Sequence, residues 1–195
     1  MEFCAIDVET ANYSIYSICQ IGIVEYKSGE IVYEWETLVN PQDYFSLKNI
    51  EIHGIHAKIV ADAPTFPQIY KDLLQLLQGK TVVSHTHFDR ISVSRAIAYH
   101  DLQQIECTWL DSTRIVRRTW PQFARRGYAL KNVCDFLEYK FSHHNALADA
   151  KAAGYIVNTA CLKTGITIDE WVTRVNNTSG TYRQDGYSSP ASDSG

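Results

Sequence analysis

An α/β fold follows from three observations on this sequence: a mixed five-stranded sheet with a three-stranded antiparallel start, flanked by helices. Apolar residues fall in strand-length runs as far as Val39, the apolar spacing turns helical beyond residue 64, and short apolar strands then alternate with helices. A β-β-β opening followed by alternating α and β segments implies both antiparallel and parallel neighbours in one sheet.

The elements follow in chain order. Phe3-Cys4-Ala5-Ile6 is the first strand, Ile18 to Val24 the second, and Ile31 to Trp35, running on to Leu38-Val39, the third. Lys27-Ser28-Gly29 joins the second and third as a short hairpin, and Asn40-Pro41 stops the third. Pro64 to Gln78 places Phe66, Ile69, Tyr70, Leu73, Leu74, Leu76 and Leu77 at helical spacing, opened by proline and closed by Gly79. Thr81 to Ser84 is a short buried strand, Phe88 to Tyr99 a helix, and Cys107 to Leu110 a fifth strand. Tyr128 to Leu137 and Ala146 to Leu162 read as helices, and Thr167 to Val175 as a last short one. From Asn176 onward small polar residues dominate and almost nothing could be buried, which predicts one domain over residues 1–175 and a disordered polar tail over 176–195.

With 195 residues, 45% hydrophobic and 21% charged, the chain can build one substantial core, which excludes disorder throughout. No stretch approaches the roughly 18 apolar residues of a membrane helix, and the first residues, Met1-Glu2-Phe3-Cys4-Ala5-Ile6-Asp7, lack the basic start of an export signal. The expectation is a cytoplasmic protein without a membrane partner. Cys4, Cys19, Cys107, Cys134 and Cys161 are odd in number and form no C-x-x-C pair, so reduced and mostly buried thiols are expected. The net charge of -4 conceals a local imbalance. Between Ser112 and Cys134 stand Arg114, Arg117, Arg118, Arg125, Arg126 and Lys131 with no acid, interleaved with Trp120, Phe123 and Tyr128. A positive surface carrying rings suits backbone tracking and base stacking on single-stranded nucleic acid, whereas core aromatics beside a solvated basic face are the plainer alternative.

Four acids occupy positions that ordinary packing does not explain. Asp7 and Glu9 alternate along the first strand behind Phe3 and Ala5, which places their Cα atoms about 6.6 Å apart on one face, at the strand end where open α/β sheets present ligand sites. Asp89 opens a helix whose inward stripe continues through Val93, Ala96 and Ile97; a helix cap is the structural alternative for it. Asp149 lies beside the small apolar face formed by Ala146, Ala150, Ala153 and Val157. A buried carboxylate needs a cation, a donor or a metal. No Cys or His group has zinc spacing, which leaves an all-oxygen site for two Mg²⁺ ions, with Mn²⁺ as a substitute, a pairing suited to in-line displacement at phosphorus. His144, in a loop five residues before Asp149, is a candidate general base because an imidazole titrates near neutrality, and neighbouring His143 reads as a surface residue.

Taken together, Asp7-Val8-Glu9-Thr10, Phe88-Asp89 and His144-Asn145-Ala146-Leu147-Ala148-Asp149 resemble the motifs of the DEDDh-type 3'-5' exonucleases, the DnaQ-like group that includes the proofreading subunit of bacterial DNA polymerase III. The likeness runs over about residues 1–165 and includes Thr37-Leu38-Val39-Asn40-Pro41, His53-Gly54-Ile55 and Leu110-Asp111-Ser112-Thr113. It implies an RNase H-like fold, with Asp7, Glu9, Asp89 and Asp149 binding two Mg²⁺ ions and His144 as general base. It further implies attack by water on the terminal phosphodiester, with release of nucleoside 5'-monophosphates from a single-stranded or frayed 3' end, DNA favoured over RNA. Thr10 and the His53-Gly54-Ile55 segment would then hold the terminal nucleotide, with further substrate contacts near His85. The second motif departs from the usual His-Asn-Ala-x-Phe-Asp: Ser84-His85-Thr86-His87-Phe88-Asp89 has Thr86 where the Asn would stand, which leaves the contacts to the scissile nucleotide open. A non-catalytic binding or scaffolding module of a polymerase or DNA-processing complex is the alternative from another class, and an internally cutting nuclease a third.

Overall fold

The computed structural model describes residues 2–176; the predicted tail, apart from Asn176, lies outside the described residues. Its sheet has five strands in the order β3-β2-β1-β4-β5, with β1 Glu2–Thr10, β2 Ile18–Lys27, β3 Glu30–Leu38, β4 Thr81–Ser84 and β5 Thr108–Asp111. The first three are antiparallel, and β4 and β5 run parallel to β1. The hairpin between β2 and β3 turns on Ser28 and Gly29, both at positive φ (53° and 91°), the conformation of a tight two-residue turn.

Eight helices complete the described chain: α1 Leu47–His53, α2 Phe66–Leu77, α3 Phe88–Tyr99, α4 Ser112–Thr119, α5 Phe123–Arg126, α6 Leu130–Phe136, α7 Ala146–Thr164 and α8 Ile168–Asn176. Alternation along β1 divides the core. Cys4, Ile6 and Val8 pack with α2 and α3 on one side of the sheet, while Phe3 and Ala5 pack with α7 and the α4–α6 segment on the other. Each fully buried large apolar side chain contributes about 1.5–3 kcal/mol, so both layers hold the sheet firmly. Asp7 and Glu9 continue the α7-facing row beyond Ala5, where the apolar residues end.

α1, α4 and α5 do not appear in the sequence reading, for identifiable reasons. α1 buries no residue and so shows no apolar period. α4 buries Ser112, Thr113 and Thr119 beside Ile115 and Val116, so polar residues carry half of its packed face. α5 is a four-residue turn. Elsewhere the differences are at boundaries: β1 runs on through Thr10, α2 starts at Phe66 behind a Thr65–Gln68 capping box, and α6 is shorter than Tyr128–Leu137. The stacking role expected of Trp120 and Phe123 is overturned, because both are buried (3% and 0% exposed) in the core under α7. All five cysteines are free, four of them buried. No helix among the described residues is long and apolar enough to cross a membrane.

Candidate active site

The acids of β1 meet α7 because the sheet has a hole in its side-chain layer. Gly22 of β2 pairs with Asp7, and the first turn of α7 rests on it. A Cβ at Gly22 would stand 2.2 Å from the Leu147 backbone N and 2.4 Å from the Ala146 carbonyl carbon, so backbone lies on backbone there. Further along α7, Gly154 gives way to the ring of Tyr26, whose hydroxyl donates to the Lys151 carbonyl at 2.9 Å. The start of α7 is also clamped laterally. Asn145 caps it by accepting from the Ala148 N–H (2.9 Å) and donates to Glu36 Oε1 (3.0 Å). Gln20 donates to the same Glu36 oxygen (2.8 Å) and accepts from the Ala146 N–H (3.2 Å). These contacts fix the end of α7 that carries Asp149.

Oxygens of Asp7, Glu9 and Asp149 consequently lie within 4.8 Å of one another. Asp89, delivered by the first turn of α3 and 3% exposed, accepts from the Val8 N–H at 3.1 Å and lines the same cleft of about 310 Å³. The electrostatics follow from the crowding. Burial, then the charges of Asp89, Asp149 and Glu9, hold Asp7 well above the usual carboxylate range. Burial, then Asp149 and Asp89, push Glu9 up to about 8. Burial pushes Asp89 up to about 7, against the two backbone N–H groups that favour its ionised form. Burial raises Asp149 as well, opposed by its histidine partners. Four carboxyl groups that resist ionising together, each offering oxygen, form a donor set that fits hard divalent cations.

Two histidines close the cleft. His144 sits in the loop before α7 at φ +67°, with its backbone N–H donating to Asp149 Oδ2 at 3.0 Å. Its ring stacks on His143 at 3.8 Å between centroids. Burial, followed by the neighbouring His143, lowers the pKa of His144, so the ring is neutral near pH 7 and able to take up a proton. The reading of His143 as a surface residue is corrected: its Nδ1 donates to Asp149 Oδ1 at 3.0 Å.

The expected substrate-binding residues are placed differently from the acids. The Thr10 carbonyl accepts from Asn49 Nδ2 (2.8 Å) and from His53 Nε2 (3.1 Å), while His53 Nδ1 accepts from the Ile55 N–H (3.0 Å). Gly54 ends α1 at φ +75°, and Ile55 packs with Ala11, Cys19 and Val60. Thr10, His53, Gly54 and Ile55 thus form a wall against the end of β1, beside Glu9 rather than among the carboxylates. His85 does line the cleft, but both ring nitrogens are committed. Its Nε2 donates to the Tyr128 carbonyl (2.7 Å), so its Nδ1 accepts from the Ser112 hydroxyl (2.8 Å). It ties β4 to α4 and to the loop before α6. Sequence reasoning missed Gln20, Gly22, Glu36 and Asn145. Only Gly22 carried a signal, as a lone glycine inside an apolar strand.

Comparison with known proteins bears on this arrangement. The model of a family described as RNase_T, Exonuclease, matches residues 4–157. The PolC-type DNA polymerase III of Caldanaerobacter subterraneus is 32% identical over 158 residues, which make up 80% of this chain and 11% of that protein. That of Bacillus subtilis is 27% identical over 162 residues, again 80% of this chain and 11% of the relative. The chain therefore spans about a tenth of the length of the curated relatives it matches. Exonuclease X in complex with 5' overhanging duplex DNA superposes with a TM-score of 0.70 at 22% identity, covering 87% of this chain and 97% of that one. The nuclease domain of 3'hExo, a DEDDh family member bound to rAMP, gives 0.68 at 20% identity, covering 84% and 92%. At these identities the two structures show a shared RNase H-like fold.

Proposed function

Because this chain belongs to the RNase_T family of exonucleases, of the DnaQ-like DEDDh type, we propose that it is a divalent-metal-dependent 3'-5' exonuclease. On this reading it releases nucleoside 5'-monophosphates from single-stranded or frayed 3' ends, DNA favoured. The observation that carries the proposal is the convergence of Asp7, Glu9 and Asp149 oxygens within 4.8 Å, with Asp89 in the same cleft and a neutral His144 at its edge.

Asp7, Glu9, Asp89 and Asp149 would hold two Mg²⁺ ions, or Mn²⁺ in their place. Such ions, about 3.5–4 Å apart in two-metal sites, supply stabilisation of both the attacking and the leaving oxygen in a displacement at phosphorus. The chain's own residues do the rest. His144, neutral at working pH, takes a proton from the attacking water, a role worth typically 10²–10⁴-fold in rate. Asp149 serves twice, as an oxygen donor to the ions and, through the His144 backbone N–H, as the anchor of the loop that presents the imidazole. The wall made by Thr10 and His53-Gly54-Ile55 seats the terminal nucleotide next to Glu9. The PolC-type relatives support a polymerase as the working context of this domain.

A 5'-labelled DNA strand incubated with Mg²⁺ should yield a ladder shortened from its 3' end, and EDTA should abolish it. Failure to digest, or digestion that persists in Asp7→Ala, overturns the proposal; internal cuts in a circular strand overturn the exonucleolytic part of it.

A further inference from the structure

The basic strip divides in the folded protein. Trp120 and Phe123 are core residues, while Arg114 and Arg117, three positions apart on α4, stand with Tyr128 along a groove of about 620 Å³. This groove shares Thr86 and Ala129 with the carboxylate cleft, so the two form one continuous depression. The Arg117 guanidinium lies 4.5 Å above the Tyr128 ring. Among the described residues, neither Arg114 nor Arg117 has an acid within ion-pair distance. The groove's one carboxylate, Asp111, has Oδ1 taken by the Thr113 N–H (2.9 Å) and hydroxyl (2.6 Å), where it caps α4.

We propose that this groove is a second, non-catalytic subsite that holds the phosphodiester backbone of the substrate strand, on the 5' side of the nucleotide seated at the carboxylates. The inference rests on the exonuclease reading above. Three features carry it. Two unpaired guanidinium forks match phosphate oxygens in geometry as well as in charge. The Tyr128 ring holds one fork in place beforehand, which lowers the entropy lost when a phosphate docks. The position also answers a need of the site: a cleft built from four acids repels a polyanion, and an adjoining cationic groove offsets that repulsion where the strand enters. Continuity through Thr86 and Ala129 favours the same strand over an acidic protein segment, which would have no reason to adjoin the acids.

The test measures binding of a fluorescent twelve-nucleotide DNA strand by anisotropy in EDTA over a range of NaCl concentrations. It compares the wild-type chain, Arg114→Gln/Arg117→Gln, and Lys71→Gln, an exposed charge on α2. The double variant is expected to bind about tenfold more weakly, the change given by losing roughly one strong charge-assisted contact. The slope of log K against log salt should fall by about 1.4, two phosphate contacts at roughly 0.7 each on a single strand. In Mg²⁺ its KM should rise for the twelve-nucleotide strand and not for a dinucleotide, which cannot reach the groove. Equal weakening by Lys71→Gln, an equal rise of KM for the dinucleotide, or displacement of the strand by polyglutamate or inorganic phosphate as readily as by unlabelled DNA overturns the assignment. If the wild-type chain digests no strand, the exonuclease reading fails instead, and the anisotropy series still decides whether the groove holds a backbone.

Discussion

Replacing Asp89 by asparagine should stabilise the metal-free protein while ending its activity. The side chain is 3% exposed, and its carboxyl is pushed from an ordinary 3.8 up to about 7 by burial, with Asp149 and Asp111 adding to the effect. The sign follows from proton counting. The unfolded chain gives up this proton near pH 4 and the folded chain keeps it until about pH 7, so between those values the unfolded state binds fewer protons and stability falls as pH rises. Above pH 8 the ionised group costs on the order of 4 kcal/mol, and near pH 4 less than about 1 kcal/mol. Asparagine keeps the shape and the oxygen that accepts from the Val8 N–H, so little else changes. Urea denaturation in EDTA at pH 8 should show a midpoint raised by roughly 1–2 M, with the gain shrinking toward pH 4. Added Mg²⁺ should raise the wild-type midpoint and leave that of Asp89→Asn nearly unmoved. A variant less stable than wild type at pH 8, or a gain equal at both pH values, would refute the electrostatic account of the cleft.

Three further outcomes are expected. Adding Mg²⁺ to weakly buffered, metal-free protein at pH 7 should release about one to two protons per chain, read as acidification with an indicator dye, because Glu9 near 8 and Asp89 near 7 hold protons that cation binding displaces. Gly22→Ala should cost about 1–3 kcal/mol or more on thermal or urea unfolding, since the added methyl meets backbone rather than a side chain that could turn away, and kcat should fall as Asp149 is pushed from Asp7. His144→Ala should lower kcat by about 10²–10⁴-fold with KM nearly unchanged and remove the acid limb of the rate profile. An unaltered acid limb would reassign proton uptake to another group.

Much of this molecule was legible in its residues, for physical reasons that also mark where legibility stopped. β1 to β3, β4 and α3 declared themselves because apolar residues recur at the period of the element and because Ser28-Gly29 admits a tight turn. The four acids stood out because each occupies a position where a neutral residue would pack at less cost. α1 and α4 stayed hidden since one buries nothing and the other buries hydroxyls, which a count of apolar spacing does not register. The strip from Ser112 to Cys134 looked like one surface because charge and aromatic content are read along the chain, whereas Trp120 and Phe123 turn inward and the arginines outward on short helices. His143 was indistinguishable from a solvent-exposed histidine because its partner, Asp149, lies six residues away across a left-handed loop residue. The clamp of Gln20, Glu36 and Asn145 joins three segments by side-chain amides that carry no periodicity at all.

The contact between Gly22 and the first turn of α7 bears on how this domain can change over evolutionary time. Where two helices meet through leucines, each exchange of a side chain resets their spacing, and a site straddling them drifts with it. Here the separation of Asp7 from Asp149 is set by main-chain atoms that every sequence shares, so neighbouring positions are free to diverge in volume while the spacing of the carboxylates is inherited unchanged.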